Sequence, residues 1–145
     1  MSKLIKLISI IKEKRLKTTI REYFRFKIYL PAIRLWNLVV DKYFGIETEL
    51  IIELPSLGLE EKIGNRQEST PTHHLKKILS FLSINSEDVF IDMGSGGGRV
   101  MIAAGRFPFK KIIGVDVSEK LNKICKINIQ KMKHRLKCKN FEHSC

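Results

Sequence analysis

Two carboxylates and a run of glycines are the residues in this sequence with chemistry to offer. The stretch VFIDMGSGGGRV, residues 89–100, stops an apolar run at Asp92 and then sets Gly94, Gly96, Gly97 and Gly98 within five positions. Glycine at that density is costly, because each one loses more backbone freedom on folding than any other residue. The cost is explained where the main chain turns through positive φ or passes very close to a ligand. Downstream, IIGVDVS ends its apolar run on Asp116, eighteen residues beyond Gly98. A carboxylate about 20 residues after a glycine loop, in a strand–helix–strand unit, is placed to accept both vicinal hydroxyls of a ribose. It would repel a phosphate at the same position. Loop and acid together point to an adenosine moiety with free ribose hydroxyls.

Other nucleotide loops fit less well. The phosphate-cradling string GxxxxGK[ST] is absent. The dinucleotide string GxGxxG is met at Gly94 and Gly96, but its third position falls on Arg99. The pattern that fits is D-x-G-x-G-x-G, carried by Asp92, Gly94, Gly96 and Gly98 with Ser95 inside the turn.

The elements that must position these residues follow from periodicity. DVFID and KKIIGVDVS are short apolar runs, as expected of strands buried on both faces of a parallel sheet. GRVMIAAGRF between them reads as a helix. Ser118 caps a second helix, SEKLNKICKINIQKMKHRL, with Leu121, Ile124, Cys125 and Met132 facing inward. KNFEHSC begins a third strand. Upstream, Leu75, Ile78, Leu79 and Leu82 fall at i, i+3, i+4 and i+7, an amphipathic helix after Pro71. Residues 46–70 read mostly as loop with a short strand at 50–54. Residues 3–27 read as a helix, Pro31 as a break or a new start, and AIRLWNLVVDKYFG as a helix with Leu35, Leu38, Val39 and Tyr43 on one stripe. The alternation of strand and helix predicts an α/β fold around a parallel sheet with right-handed crossovers.

Composition sets outer limits. The chain has 145 residues, 43% hydrophobic and 29% charged, the size and balance of one globular domain. No apolar run reaches the ~20 residues of a bilayer span, and no cleavable leader is evident, so a cytoplasmic protein is expected. Cys125, Cys138 and Cys145 lack metal-ligand spacing, which predicts reduced thiols and no metal. The net charge of +12 is uneven. Residues 1–34 hold ten Lys/Arg against two acids, and residues 110–139 hold another ten against two. Such blocks suit an anionic partner, nucleic acid or a membrane surface, or they merely solvate helix faces. The cluster Tyr23, Phe24, Phe26 and Tyr29, with Arg25 and Lys27, has the composition of a base-stacking surface. The packing face of a helix is its plainer reading.

With these residues in place, residues 71–135 resemble the first half of a class I S-adenosylmethionine-dependent methyltransferase. VFIDMGSGGGRV is similar to the family's first motif and KKIIGVDVS to its acidic motif. DKYFGIETE, LPSLGLEE and ESTPTHHLKKIL are similar to the lead-in of a bacterial branch of such enzymes. The resemblance implies a Rossmann-like sheet preceded by N-terminal helices, with S-adenosyl-L-methionine as cofactor. It implies that the loop from Asp92 through Gly94, Ser95, Gly96 and Gly98 wraps the methionine end. It further implies that Asp116 binds ribose, that Val117 packs on adenine, and that Thr70–Thr72 lies nearby. A larger residue is usual where Gly97 stands.

The same resemblance implies an incomplete domain. The family's sheet has seven strands, and its catalytic or substrate-orienting residues usually follow the fourth, so no catalytic residue is assigned and the methyl acceptor is unidentified. The expected organisation is a basic helical extension and loop over residues 1–70, then a partial cofactor-binding domain over 71–145. The strand at 89–93 is expected to expose an unpaired apolar edge. Methyl transfer is the expected activity. Two other classes stay open: a truncated, non-catalytic fragment or interaction module keeping part of the cofactor site, and a basic nucleic-acid-binding protein.

Overall fold

A computed structural model describes residues 3–49 and 69–144, with side chains from residue 13 onward. The strand expected at 50–54 lies outside the described residues. Two compact units make up the chain, Met1–Trp36 and Asn37–Cys145.

The first unit is helical. Helix α1 (Lys3–Phe24) runs into a π turn (Arg25–Tyr29) and then into α2 (Leu30–Phe44). Pro31 therefore does not break the helix. Proline lacks an N–H and crowds the carbonyl four residues back, and the π turn immediately before it widens the backbone there. The N–H of Leu30 donates to the Arg25 carbonyl, a five-residue step. Tyr23, Phe24, Phe26 and Tyr29 are exposed rather than packed.

The second unit takes the C-terminal end of α2 and residues 46–49, which the sequence assigned to an extension. It continues with α3 (Thr72–Ser80), β1 (Val89–Met93), α4 (Arg99–Ala104), β2 (Lys111–Val115), α5 (Glu119–Met132), a 3-10 turn (Lys133–Arg135) and β3 (Phe141–Ser144). The strands form a parallel sheet in the order β1-β2-β3. Val89 pairs with Lys111 and Met93 with Val115, and Ile112 pairs with Phe141. This register brings the C-terminal ends of β1 and β2 level, so Asp92 and Asp116 sit at the same end of the sheet.

Alternation along each strand sends successive side chains to opposite faces. One face carries Phe90, Ile112, Gly114 and Phe141 and lies beneath α4 and α5, where Met101, Leu121, Cys125, Ile129 and Met132 are buried. Gly114 makes room for that packing, since a Cβ there would lie 2.4 Å from Met101 Sδ. The other face exposes Val89, Ile91 and Met93.

Two helical stripes differ from their periodicity. On α3, Leu79 is buried but Ile78 and Leu82 are exposed. On α2, Leu35, Leu38, Val39 and Tyr43 are all exposed, while Asn37 and Asp41 are buried. The helix has turned its polar side inward, and the reason lies at the glycine loop.

Candidate functional site

The loop after β1 is shaped by its own backbone. The N–H groups of Gly94 and Ser95 both donate to the Val115 carbonyl, at 2.8 and 3.0 Å, which folds the turn over the end of β2. Gly94, Gly96 and Gly98 have φ of 81°, 51° and 83°, left-handed values that side chains with a Cβ rarely adopt. Gly98 is constrained twice, because a Cβ there would also lie 2.5 Å from Cys125 Sγ. Gly97 is not among the positive-φ glycines, so a larger residue at that position meets no backbone penalty.

Asp116 closes the loop from the other side. Its Oδ2 accepts from the Gly96 N–H at 2.8 Å and its Oδ1 from the Ser118 N–H at 2.9 Å. A carboxylate offers about four lone-pair positions, so each oxygen retains one. Ser118 caps α5 by accepting from the Leu121 N–H, which fixes the backbone following the acid. Val117 between them is 66% exposed and stands at the rim. The glycine loop and Asp116 are thus in direct contact at this end of the sheet.

Asp92 and Ser95 line the inner wall. A hollow of about 20 Å³, room for one small polar group, is bordered by Thr48, Ser69, Thr70, Asp92, Gly94 and Ser95. Asp92 Oδ2 and Ser95 Oγ are buried there without a hydrogen-bond partner among the described residues. Burial pushes the Asp92 carboxyl up to about 6, and the Asp116 charge adds to the shift. Buried polar atoms left unpaired are uncommon in folded proteins, and both residues border this hollow.

The sequence did not reveal what braces this loop. Arg99, expected at the rim where α4 starts, is nearly buried; its Nη2 lies 2.8 Å from Asp41 Oδ1 and 3.5 Å from Glu49 Oε2. The Asp41 carboxylate also accepts from the Thr48 N–H, the Thr48 hydroxyl and the Glu49 N–H. Asn37 Nδ2 donates to Glu49 Oε2 at 2.7 Å. An unpaired buried charge is expensive, while a paired and hydrogen-bonded one is tolerated, which is why α2 turns Asn37 and Asp41 inward. Asn128 of α5 adds a second brace. Its Nδ2 donates to the carbonyls of Glu47 and Gly97, at 2.7 and 2.9 Å, and its Oδ1 accepts from the Glu47 N–H. The Asn37 and Asp41 pair at i, i+4, set among the apolar residues Leu35 to Val40, was the one local signal of this network.

All seven predicted site residues (Asp92, Gly94, Ser95, Gly96, Gly98, Asp116 and Val117) lie at this end of the sheet, with Thr70 beside Asp92 and Ser95. Among the described residues no group of His, Cys, Asp or Glu could hold a metal ion, and no helix is long and apolar enough to cross a membrane.

Residues 68–144, just over half of the chain, match the family model of the histone methylation protein DOT1. The chain belongs to this methyltransferase family. A protein-lysine N-methyltransferase of Saccharolobus islandicus is 30% identical over 63 residues, covering 43% of this chain and 39% of that protein. A histone-lysine N-methyltransferase of Drosophila melanogaster, specific for H3 lysine-79, is 39% identical over 46 residues, 31% of this chain and 2% of the fly protein. Among solved structures, an RNA methyltransferase from Salinibacter ruber in complex with S-adenosyl-L-homocysteine matches with a TM-score of 0.43 and 25% identity, over 52% of this chain and 47% of that one. The chain spans well under half the length of the curated relatives it matches.

Proposed function

We propose that this chain is the cofactor-binding part of an S-adenosylmethionine-dependent protein methyltransferase, with a lysine amine as the acceptor. The junction of Asp116 with the glycine loop carries the reading. The carboxylate keeps one acceptor position on each oxygen for the two ribose hydroxyls, while three left-handed glycines leave bare main chain beside it. Asp92 Oδ2 and Ser95 Oγ, buried and unpaired, suit the charged amino-acid end. Val117 at the rim offers an apolar surface for the adenine ring. The residues present therefore fit the cofactor, which when bound supplies a methyl group already activated by its sulfonium. The chain's share is to bind and orient, and positioning supplies much of the rate in such a displacement. The lysine acceptor is supported by the activities named for the two curated relatives. The basic residues of α1 suit an anionic partner.

Calorimetric titration with S-adenosylhomocysteine tests the reading. Asp116→Ala removes hydrogen bonds to a charged group, worth about 1.5–3 kcal/mol, and should weaken binding roughly ten- to hundredfold. Equal affinities for Asp116→Ala and the parent, with circular dichroism showing both folded, would rule it out.

A further inference from the structure

The geometry points to a second binding site, separate from the glycine loop, that takes a phosphate-bearing ligand in the hollow between α5 and the edge strand β3. This hollow holds about 270 Å³ and is lined by Lys126, Gln130, Lys133, Lys139, Phe141 and His143. It is far roomier than the 20 Å³ hollow beside Asp92. It shares no residue with the cofactor site, so this inference does not depend on the proposed function.

Three lysines border it from three segments: Lys126 from α5, Lys133 from the 3-10 turn and Lys139 from the loop before β3. Lys126 and Lys133 are seven residues apart, two helical turns along one side. Lys139 Nζ donates to the Lys133 carbonyl at 2.7 Å, which ties the loop to the turn. None of the three lysines is in an ion pair among the described residues. Among the described residues no carboxylate lines the hollow. Glu142, the acid nearest in sequence, is paired with Lys111 at 2.7 Å, and strand alternation puts it on the opposite face of the sheet from Phe141 and His143. His143 lies 3.0 Å from Cys125 Sγ through Nε2, and burial and the Lys126 charge both push its pKa below the ordinary histidine range.

Three like charges gathered around one concavity repel one another, and a compact multiply charged anion would relieve that repulsion. Lysine presents a point charge with three donors, which suits phosphate oxygens. Gln130 adds a neutral donor and acceptor, and the partly buried Phe141 ring gives an apolar wall for whatever the phosphate is attached to. The phosphate could belong to a free phosphate compound or to a polynucleotide backbone.

The test pairs two probes with two matched variants of the full chain. Inorganic pyrophosphate is titrated by backbone amide NMR, and a labelled twelve-nucleotide single strand by fluorescence anisotropy, both at low salt. Lys126→Gln with Lys133→Gln empties the hollow of two charges. Lys120→Gln with Lys123→Gln removes the same charge from α5 outside it. Binding of either probe, weakened about tenfold or more by the first pair and less than about twofold by the second, is the expected result. Pyrophosphate binding assigns a free phosphate compound. Binding of the oligonucleotide alone, with a log–log salt slope proportional to the phosphates engaged, assigns a backbone. Equal losses in the two variants would reduce the effect to net charge and overturn the site, as would no binding of either probe. Both substituted pairs are exposed, and an unchanged circular-dichroism spectrum and thermal melt in each show that the fold is intact.

Discussion

On one face of the sheet Ile112 has no exposed surface, sealed under α4 and α5, while across the next strand Val89, Ile91 and Met93 are 47%, 56% and 75% exposed on the other face. The residue types are alike, so hydrophobicity does not decide which face is covered. The helices do. The same segments that cover the first face also deliver the site, since α4 begins at the glycine loop and α5 brings Cys125 against Gly98 and Asn128 against Gly97. Packing and the candidate site are therefore one structure on that side. On the bare side an apolar surface continues to the edge of β1, which no strand among the described residues pairs, the kind of edge that natural sheets pair or cover.

The largest effect is expected where the covered side holds its buried charge. Asp41→Ala leaves Arg99 only its longer contact with Glu49 and strands the N–H groups of Thr48 and Glu49, and should cost about 3–5 kcal/mol in urea unfolding. Next comes a direct contrast between the faces. Ile112→Ala should lose about 2–5 kcal/mol, while Ile91→Ala should stay within about 0.5 kcal/mol; similar losses would erase the distinction.

Gly98→Ala sharpens the contrast at the loop, with an expected cost of about 1–3 kcal/mol from the left-handed backbone alone. In a Cys125→Ala background the clash term should vanish and the backbone term remain, so a double-mutant cycle separates them. Full additivity would show that Cys125 does not crowd the position.

The last contrast is set by pH. Asp92 titrates at about 6 in the folded protein against an ordinary value near 3.8. The folded state therefore holds this proton more tightly, so Asp92 lowers stability as pH rises from about 4 to about 6, with no further loss above that. Asp92→Asn should match the parent below pH ~4 and melt higher above pH ~6. A gap that does not change between those limits would show that burial does not strain this carboxylate.

How much of this was legible in the sequence depends on the distance over which each signal acts. The three strands, the Ser118 cap, the D-x-G-x-G-x-G loop and Asp116 were readable, because apolar runs, caps and glycine spacing are local patterns. The inward turn of α2 was not. Asp41 is paid for by Arg99, 58 residues later, and nothing within the helix announces a partner that far away. Periodicity marked Leu35, Leu38 and Val39 as the packing stripe, and a buried ion pair outweighed it. Asn128 escaped notice for the same reason, since an asparagine on a lysine-rich helix resembles solvated surface until its contacts with Gly97 and Glu47 are seen. On α3 and β1, alternation identified apolar positions correctly but could not say which of them meet a neighbour.

The Asn128 amide grips Glu47 across a separation of 81 residues. Because the clasp closes over so long a separation, the Gly97 carbonyl gains its partner only when α5 is formed and docked.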